Sequence, residues 1–194
     1  MTFPYHFNIR DASLAKDKDF IISVFDASLP YLESIGSQAQ WGSTPFSQQP
    51  GWTDETQGQI QESERNSISN TTDALRILVL EVEVTKQGFY DNDCKDIHSR
   101  TEDDGRCFVA VGFAFVRGNW FPEYLHASVI AKVDQAHLDE TLYVEVMVSD
   151  SRMRDRIPGI GAALLREVRK WGDSRGKKTL YLDGWVGNER KLIG

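Results

Sequence analysis

The sequence predicts a mixed α/β fold of the α+β type, a mostly antiparallel sheet flanked by helices. Three observations carry this. Strand-like runs at 75–84, 107–116 and 142–148 follow one another with turn-rich breaks between them. A single strongly amphipathic helix comes late, at about 161–174, and is followed by one more strand-like run at 179–182. No segment repeats. With 194 residues, 40% of them hydrophobic, the chain is long enough for one well-buried core, so residues 1–194 read as one domain.

Each element has a local reason. Phe7-Asn8-Ile9-Arg10 alternates and reads as a first strand, with Asp11 or Ser13 placed to cap a helix. From Leu14 to Ile35, Phe20, Ile21, Val24, Phe25, Leu29 and Leu32 recur at helical spacing, and Pro30 is expected to divide the stretch in two. Residues 36–53 are rich in Gly, Ser, Gln and Pro and read as a loop. Residues 54–65 are polar nearly all round, with Ile60 their one aliphatic, which predicts a weakly packed helix. In 75–84, Leu75, Ile77 and Val79 alternate with charged residues, so Glu81 and Glu83 are expected on a wet face. The acidic stretch 85–106 reads as a solvated excursion between hairpin strands, and Gly112 marks a bulge or close approach in the next strand. In the late helix Leu164, Leu165, Val168 and Trp171 share one face, and Gly176 ends it.

Composition narrows the function. A net charge of −7 supplies no basic stripe for a nucleic-acid backbone, so no nucleic-acid partner is expected. Cys94 and Cys107 have neither disulfide-framework nor metal-ligand spacing, and His98 and His126 lack a partner pattern, so no metal is expected. No signal-peptide core or membrane-length run is present, which predicts a cytoplasmic protein with no membrane partner.

The most informative stretch is Arg156-Ile157-Pro158-Gly159-Ile160-Gly161-Ala162, between the apolar strand 142–148 and the late helix. Glycines let the backbone approach a ligand closely, and a helix N-terminus offers unpaired N–H groups and a positive dipole end. Strand, glycine turn and helix start together make a cradle for a diphosphate. Arg152, Arg154 and Arg156 fall within five residues of one another, which favours phosphate over an empty turn.

These residues resemble the GCN5-related N-acetyltransferase (GNAT) superfamily. The resemblance rests on Arg156-x-x-Gly159-x-Gly161-Ala162 behind Val146-Met147-Val148. It is supported by Ile9-Arg10, Val111-Gly112, and Leu180-Tyr181-Leu182 followed by Asn188. It spans residue 7 to the end and is sharp from 142 to 188. The resemblance implies acetyl-CoA as cosubstrate, bound in a gap between strands 142–148 and 179–183. It implies that the backbone from Arg156 through Ile157, Gly159, Ile160, Gly161 and Ala162 holds the pyrophosphate, with Arg154 among the phosphate-binding side chains. Met147 and Val148 would pair with the pantetheine amides, and Asn188 matches an asparagine found after the strand in many members.

The reaction implied is acetyl transfer to the primary amine of a small molecule by direct attack. Glu145, within the strand beside the thioester, is the candidate base; its apolar neighbours Tyr143, Val144 and Met147 are expected to raise its pKa. Asp183 is a weaker substitute. Trp41 and Trp52 lie in the loop that covers the acceptor in this fold, either stacking on substrate or packing as a lid. The chain departs from the family pattern twice. The loop 149–154 is about three residues longer, and after Asn188 no helix bearing the thiolate-protonating Tyr follows, as in a C-terminally truncated member. That keeps two alternatives open: a catalytically silent acyl-CoA-binding or interaction module, and a peptide or protein N-acetyltransferase. The missing strands would leave an open edge that a homodimer could complete.

Overall fold

Apolar side chains at strand and helix spacing place the elements as follows: β1 (Phe7–Asp11), α1 (Leu14–Ser34), α2 (Trp52–Ile68), β2 (Leu75–Val84), β3 (Ser99–Thr101), β4 (Cys107–Gly118), β5 (Thr141–Ser149), α3 (Ile160–Asp173) and β6 (Thr179–Leu182). The computed structural model describes residues 5–71, 74–84, 98–125, 135–184, 187 and 189. The strands form one sheet in the order β1-β2-β4-β5-β6, with β3 also beside β4. All pairings are antiparallel except β5 with β6. The sheet is therefore mixed and mostly antiparallel, as expected from the sequence.

Two hydrophobic clusters sandwich it. On one face Leu78, Leu80 and Val82 of β2 pack with Leu164, Val168 and Trp171 of α3. On the other, Ile77 and Val79 meet Phe20, Val24 and Phe25 of α1 and Ile60 of α2. Central strands are thus covered on both sides, which corrects the reading of Glu81 as a wet-face residue. Its carboxylate is buried and takes Arg10 at 2.7 Å and Arg100 at 2.7 Å. Asp17, also buried, receives a two-pronged contact from Arg10, each arm 2.7 Å long. Its second oxygen accepts the Ser13 amide at the start of α1. Buried charge here is tolerated because each charged group has an opposite partner.

Two further expectations change. Pro30 does not divide the first helix: α1 is one element of 21 residues with Pro30 inside it. Phe25, Ser28, Leu29 and Leu32 are buried on either side of that residue, so tertiary packing holds the helix through the hydrogen bond that proline removes. α2 starts earlier and is better anchored than its polarity predicted. Its Ser63 hydroxyl accepts the Ile77 amide at 2.7 Å, and Asn66 donates to the Leu75 carbonyl at 3.0 Å. Polar side chains dock this helix to β2 where few apolar ones are available.

Candidate functional site

The parallel pairing of β5 and β6 runs from Thr141/Thr179 to Val144/Leu182 and stops there. β5 continues to Ser149, so its outer edge has no ladder partner over 145–149 among the described residues. On the inner edge a register shift pairs Phe115 with Val146 and Val116 with Val144. Glu145 is the extra residue, a bulge at the apex of the gap. The gap opens into a cleft of about 620 Å³ lined by Glu145, Met147 and Val148 on β5, by Leu182 and Asp183 across from them, and by Tyr31 and Trp41 above.

A second cavity of about 280 Å³ continues it over the start of α3, sharing Tyr31 and Ser149 and adding Arg154, Gly159 and Gly161. Gly159 caps α3 with φ 83°, a left-handed conformation that favours glycine. A Cβ on Gly161 would stand 3.3 Å from the Ser149 hydroxyl, so a larger side chain there would fill the cradle. The amides of Ile160, Gly161 and Ala162 lie in the first turn, where a helix has no internal acceptor for them.

The cradle is shorter than the sequence implied. The amides of Arg156 and Ile157 are both taken up by the Met153 carbonyl, at 3.1 and 2.8 Å, and the Ile157 side chain is fully buried. Of the three arginines, Arg152 is paired with Asp150 at 2.8 Å. Arg154 lies over the Tyr31 ring, 4.9 Å from its centroid and beside the cavity; Arg156 is exposed, its carbonyl accepting the Tyr5 hydroxyl at 2.9 Å. The additional loop residues form a 3-10 turn, Ser151–Met153, capped by Asp150 and tied to α1 through Ser151 and the Ala27 carbonyl. The length is absorbed by packing rather than by displacing the cradle. Asn188 lies outside the described residues, as do Cys94 and His126.

Glu145 does not have the apolar surroundings read from its neighbours. The Arg117 guanidinium contacts its carboxylate at 2.7 Å and itself lies over Trp120 at 5.1 Å. No spacing in the sequence ties Arg117 to Glu145; the two meet because β4 and β5 pair antiparallel. Glu145 and Trp41 also line a third cavity of about 230 Å³ on the α1/α2 side, with Phe46, Trp52, Glu55 and Phe115. Trp41 both packs against Phe25, 5.7 Å between centroids, and faces the two cavities, so the lid and the lining are one structure.

Sequence reasoning named Asp183 at the apex and missed its partners. Asp183, just past β6, accepts the hydroxyls of Tyr143 and Tyr124, each at 2.7 Å. Burial, the other phenol and the Asp183 charge push the Tyr143 hydroxyl well above the ordinary tyrosine value. Burial of the hydroxyl, followed by Asp183, raises Tyr124 as well. Both stay protonated and act as donors through the neutral range. Tyr124 comes from the connection between β4 and β5, and no spacing in the sequence ties it to Asp183.

Among the described residues no helix is long and apolar enough to cross a membrane, and no group of three or more His, Cys, Asp or Glu is placed to hold a metal ion. No family model matches the chain, and no curated protein matches its sequence. Solved structures do match. An N-acetyltransferase from Staphylococcus aureus Mu50 is 18% identical with a TM-score of 0.51, the match covering 97% of this chain and 79% of that one. A protein from Desulfovibrio desulfuricans assigned to the GNAT family is 13% identical with a TM-score of 0.50, over 97% and 79%. At that identity the likeness speaks for architecture: the chain has the fold of the GNAT acetyltransferases.

Proposed function

We propose that the protein is an N-acetyltransferase that moves an acetyl group from acetyl-CoA to the primary amine of a small molecule. One observation carries the reading: the edge of β5 that has no ladder partner among the described residues leads into the first turn of α3, through cavities that share Tyr31 and Ser149. An extended amide chain ending in a diphosphate matches that trough. Its amides would add to the open strand edge, and its phosphates would meet the Ile160, Gly161 and Ala162 amides, with Arg154 alongside. The residues present therefore fit the cosubstrate, which supplies an activated acyl carbon.

The chain's own groups account for the rest. The bulge at Glu145 turns the strand edge away from β6 and brings a carboxylate to the point where both cavities meet. An amine attacks only when neutral, so Glu145 receives the ammonium proton, directly or through a water. A new C–N bond forms, the C–S bond breaks, and the sulfur leaves as a thiolate that takes a proton from solvent. Arg117 fixes the Glu145 carboxylate, and Trp41 and Trp52 wall the acceptor side. Rate comes mainly from holding amine and acyl carbon together in one orientation.

Calorimetric titration of acetyl-CoA into wild type and Gly161→Trp tests the cradle. Wild type is expected to bind and the variant to lose at least tenfold in affinity; equal binding overturns the cosubstrate assignment. Thiol release with a panel of amines tests turnover, and a rate that never exceeds the amine-free background rejects the enzyme.

A further inference from the structure

The cavity on the α1/α2 side of the bulge holds more charge than the transfer step uses. Its wall is aromatic: Phe46 and Trp52 stand 4.8 Å apart and Trp41 and Phe46 5.6 Å, all packed around Phe25. Two carboxylates line it, Glu145 on the bulge and Glu55 in the first turn of α2. Arg117 pairs with Glu145 and is approached by Glu62 at 3.8 Å. Glu55 has no cationic partner among the described residues, and it is exposed at the rim. Glu145 and Glu62 thus share one guanidinium, and Glu55 meets none among the described residues. An aromatic wall inside a negative field attracts a cation and repels a carboxylate.

On the acyl-transfer reading above, we propose that this pocket selects a short diamine. One amino group, neutral when it reacts, sits beside Glu145. The second keeps its proton and is held by Glu55 and the faces of Trp41 and Trp52, with an apolar spacer against Phe115 and Val146. Size points the same way. The pocket, about 230 Å³, has room for a chain of a few carbons ending in an ammonium group. The second cation is worth about tenfold in selectivity, from one cation–π contact and one partly exposed ion pair.

Three amines of equal chain length separate the terms: 1,4-diaminobutane, butylamine and 4-aminobutyrate, which end in an ammonium, a methyl and a carboxylate. Steady-state thiol release is expected to give kcat/KM in that order, with the diamine about tenfold above butylamine. Glu55→Gln is expected to bring the diamine-to-butylamine ratio close to one; Glu55 is exposed, so the change leaves the core alone. Equal use of the three amines, preference for 4-aminobutyrate, or an unchanged ratio in Glu55→Gln overturns the proposal. Calorimetric binding of the same amines to the acetyl-CoA-free protein keeps this test apart from the acyl-transfer reading. If the diamine binds and Glu55→Gln weakens it while no amine is acetylated, the pocket stands and the reaction falls. If butylamine binds as well as the diamine, the pocket assignment falls whatever the activity.

Discussion

Gly112→Ala is the sharpest probe of how the core shapes the site. Gly112 faces Ser149 across the β4–β5 ladder, at the end of β5 where the strand edge turns into the cradle. A Cβ there would meet the Val148 carbonyl oxygen at 2.8 Å and the Ser149 Cα at 3.4 Å, both backbone atoms that cannot rotate away. Ordinary contact begins at 3.4 Å, so the two strands must separate by about 0.6 Å (3.4 less 2.8). Overpacking of this kind costs about 1–3 kcal/mol. Replacing a strand glycine returns only about 0.4–1 kcal/mol through the unfolded chain, so the clash wins by roughly 1–2 kcal/mol. For a chain of this length that lowers Tm by roughly 2–8 °C. Gly58→Ala supplies the internal control. Gly58 lies inside α2 with nothing within 4 Å of its Cβ position, and the same chemical change there is expected to raise stability by up to about 1 kcal/mol. Thermal unfolding of the pair should move in opposite directions, and Gly112→Ala should also weaken acetyl-CoA binding because Val148 and Ser149 shift. An unchanged Tm in Gly112→Ala, or equal shifts in both variants, would refute the close-approach argument.

Other predictions address single groups. Glu145→Gln should lower kcat about 100-fold while leaving acetyl-CoA affinity intact; wild-type turnover would remove Glu145 as the base. Asp183→Ala leaves the hydroxyl of buried Tyr143 with only its long 3.4 Å contact to Tyr124 and should cost about 1–3 kcal/mol, whereas Tyr143→Phe removes donor and demand together and should cost less; the reverse order in chemical denaturation would show that the cluster is not what holds this corner. Asp17 predicts an acid limb. Burial alone would push its carboxyl up, but hydrogen bonds from Arg10, His98 and the Ser13 amide outweigh that and hold it well below the ordinary value. The folded state then binds the proton less readily than the unfolded one. The stabilisation is complete above the unfolded value of about 3.9 and is lost as pH falls through the folded value. Urea unfolding between pH 6 and 2.5 should therefore steepen below about pH 4 in wild type, and more shallowly in Asp17→Asn.

The late strand–turn–helix unit was legible because local rules and tertiary role agree there. Its glycine turn must be left-handed at Gly159, its helix has one apolar face, and both show between Gly159 and Trp171. Elements failed where distant partners override local preference. Pro30 ends a helix in isolation, yet the buried face around it keeps α1 whole. Glu81 alternates with apolar residues like any surface strand position, yet β2 is central and covered, and two arginines from β1 and β3 arrive to neutralise it. Neither arginine is near Glu81 in sequence.

The site divides along the same line, and the division explains which residues were reachable. Contributions from backbone, such as the first-turn amides of α3, follow from turn chemistry, so a single sequence exposes them. Contributions from side chains depend on a one-residue bulge. Glu145 stands opposite no residue of β4, yet its carboxylate meets Arg117 and lines both the cleft and the aromatic pocket. Restoring regular register by deleting Glu145 should therefore do more than remove a carboxylate. Phe115 keeps Val146 and Val116 keeps Val144, so no residue slips; what is lost is the extra residue that bends β5 at the apex of the gap. The deletion is expected to lose activity and acetyl-CoA affinity together, where Glu145→Gln loses activity alone. Equal acetyl-CoA affinity in the two variants would mean that the bulge is incidental to how this sheet builds its gap.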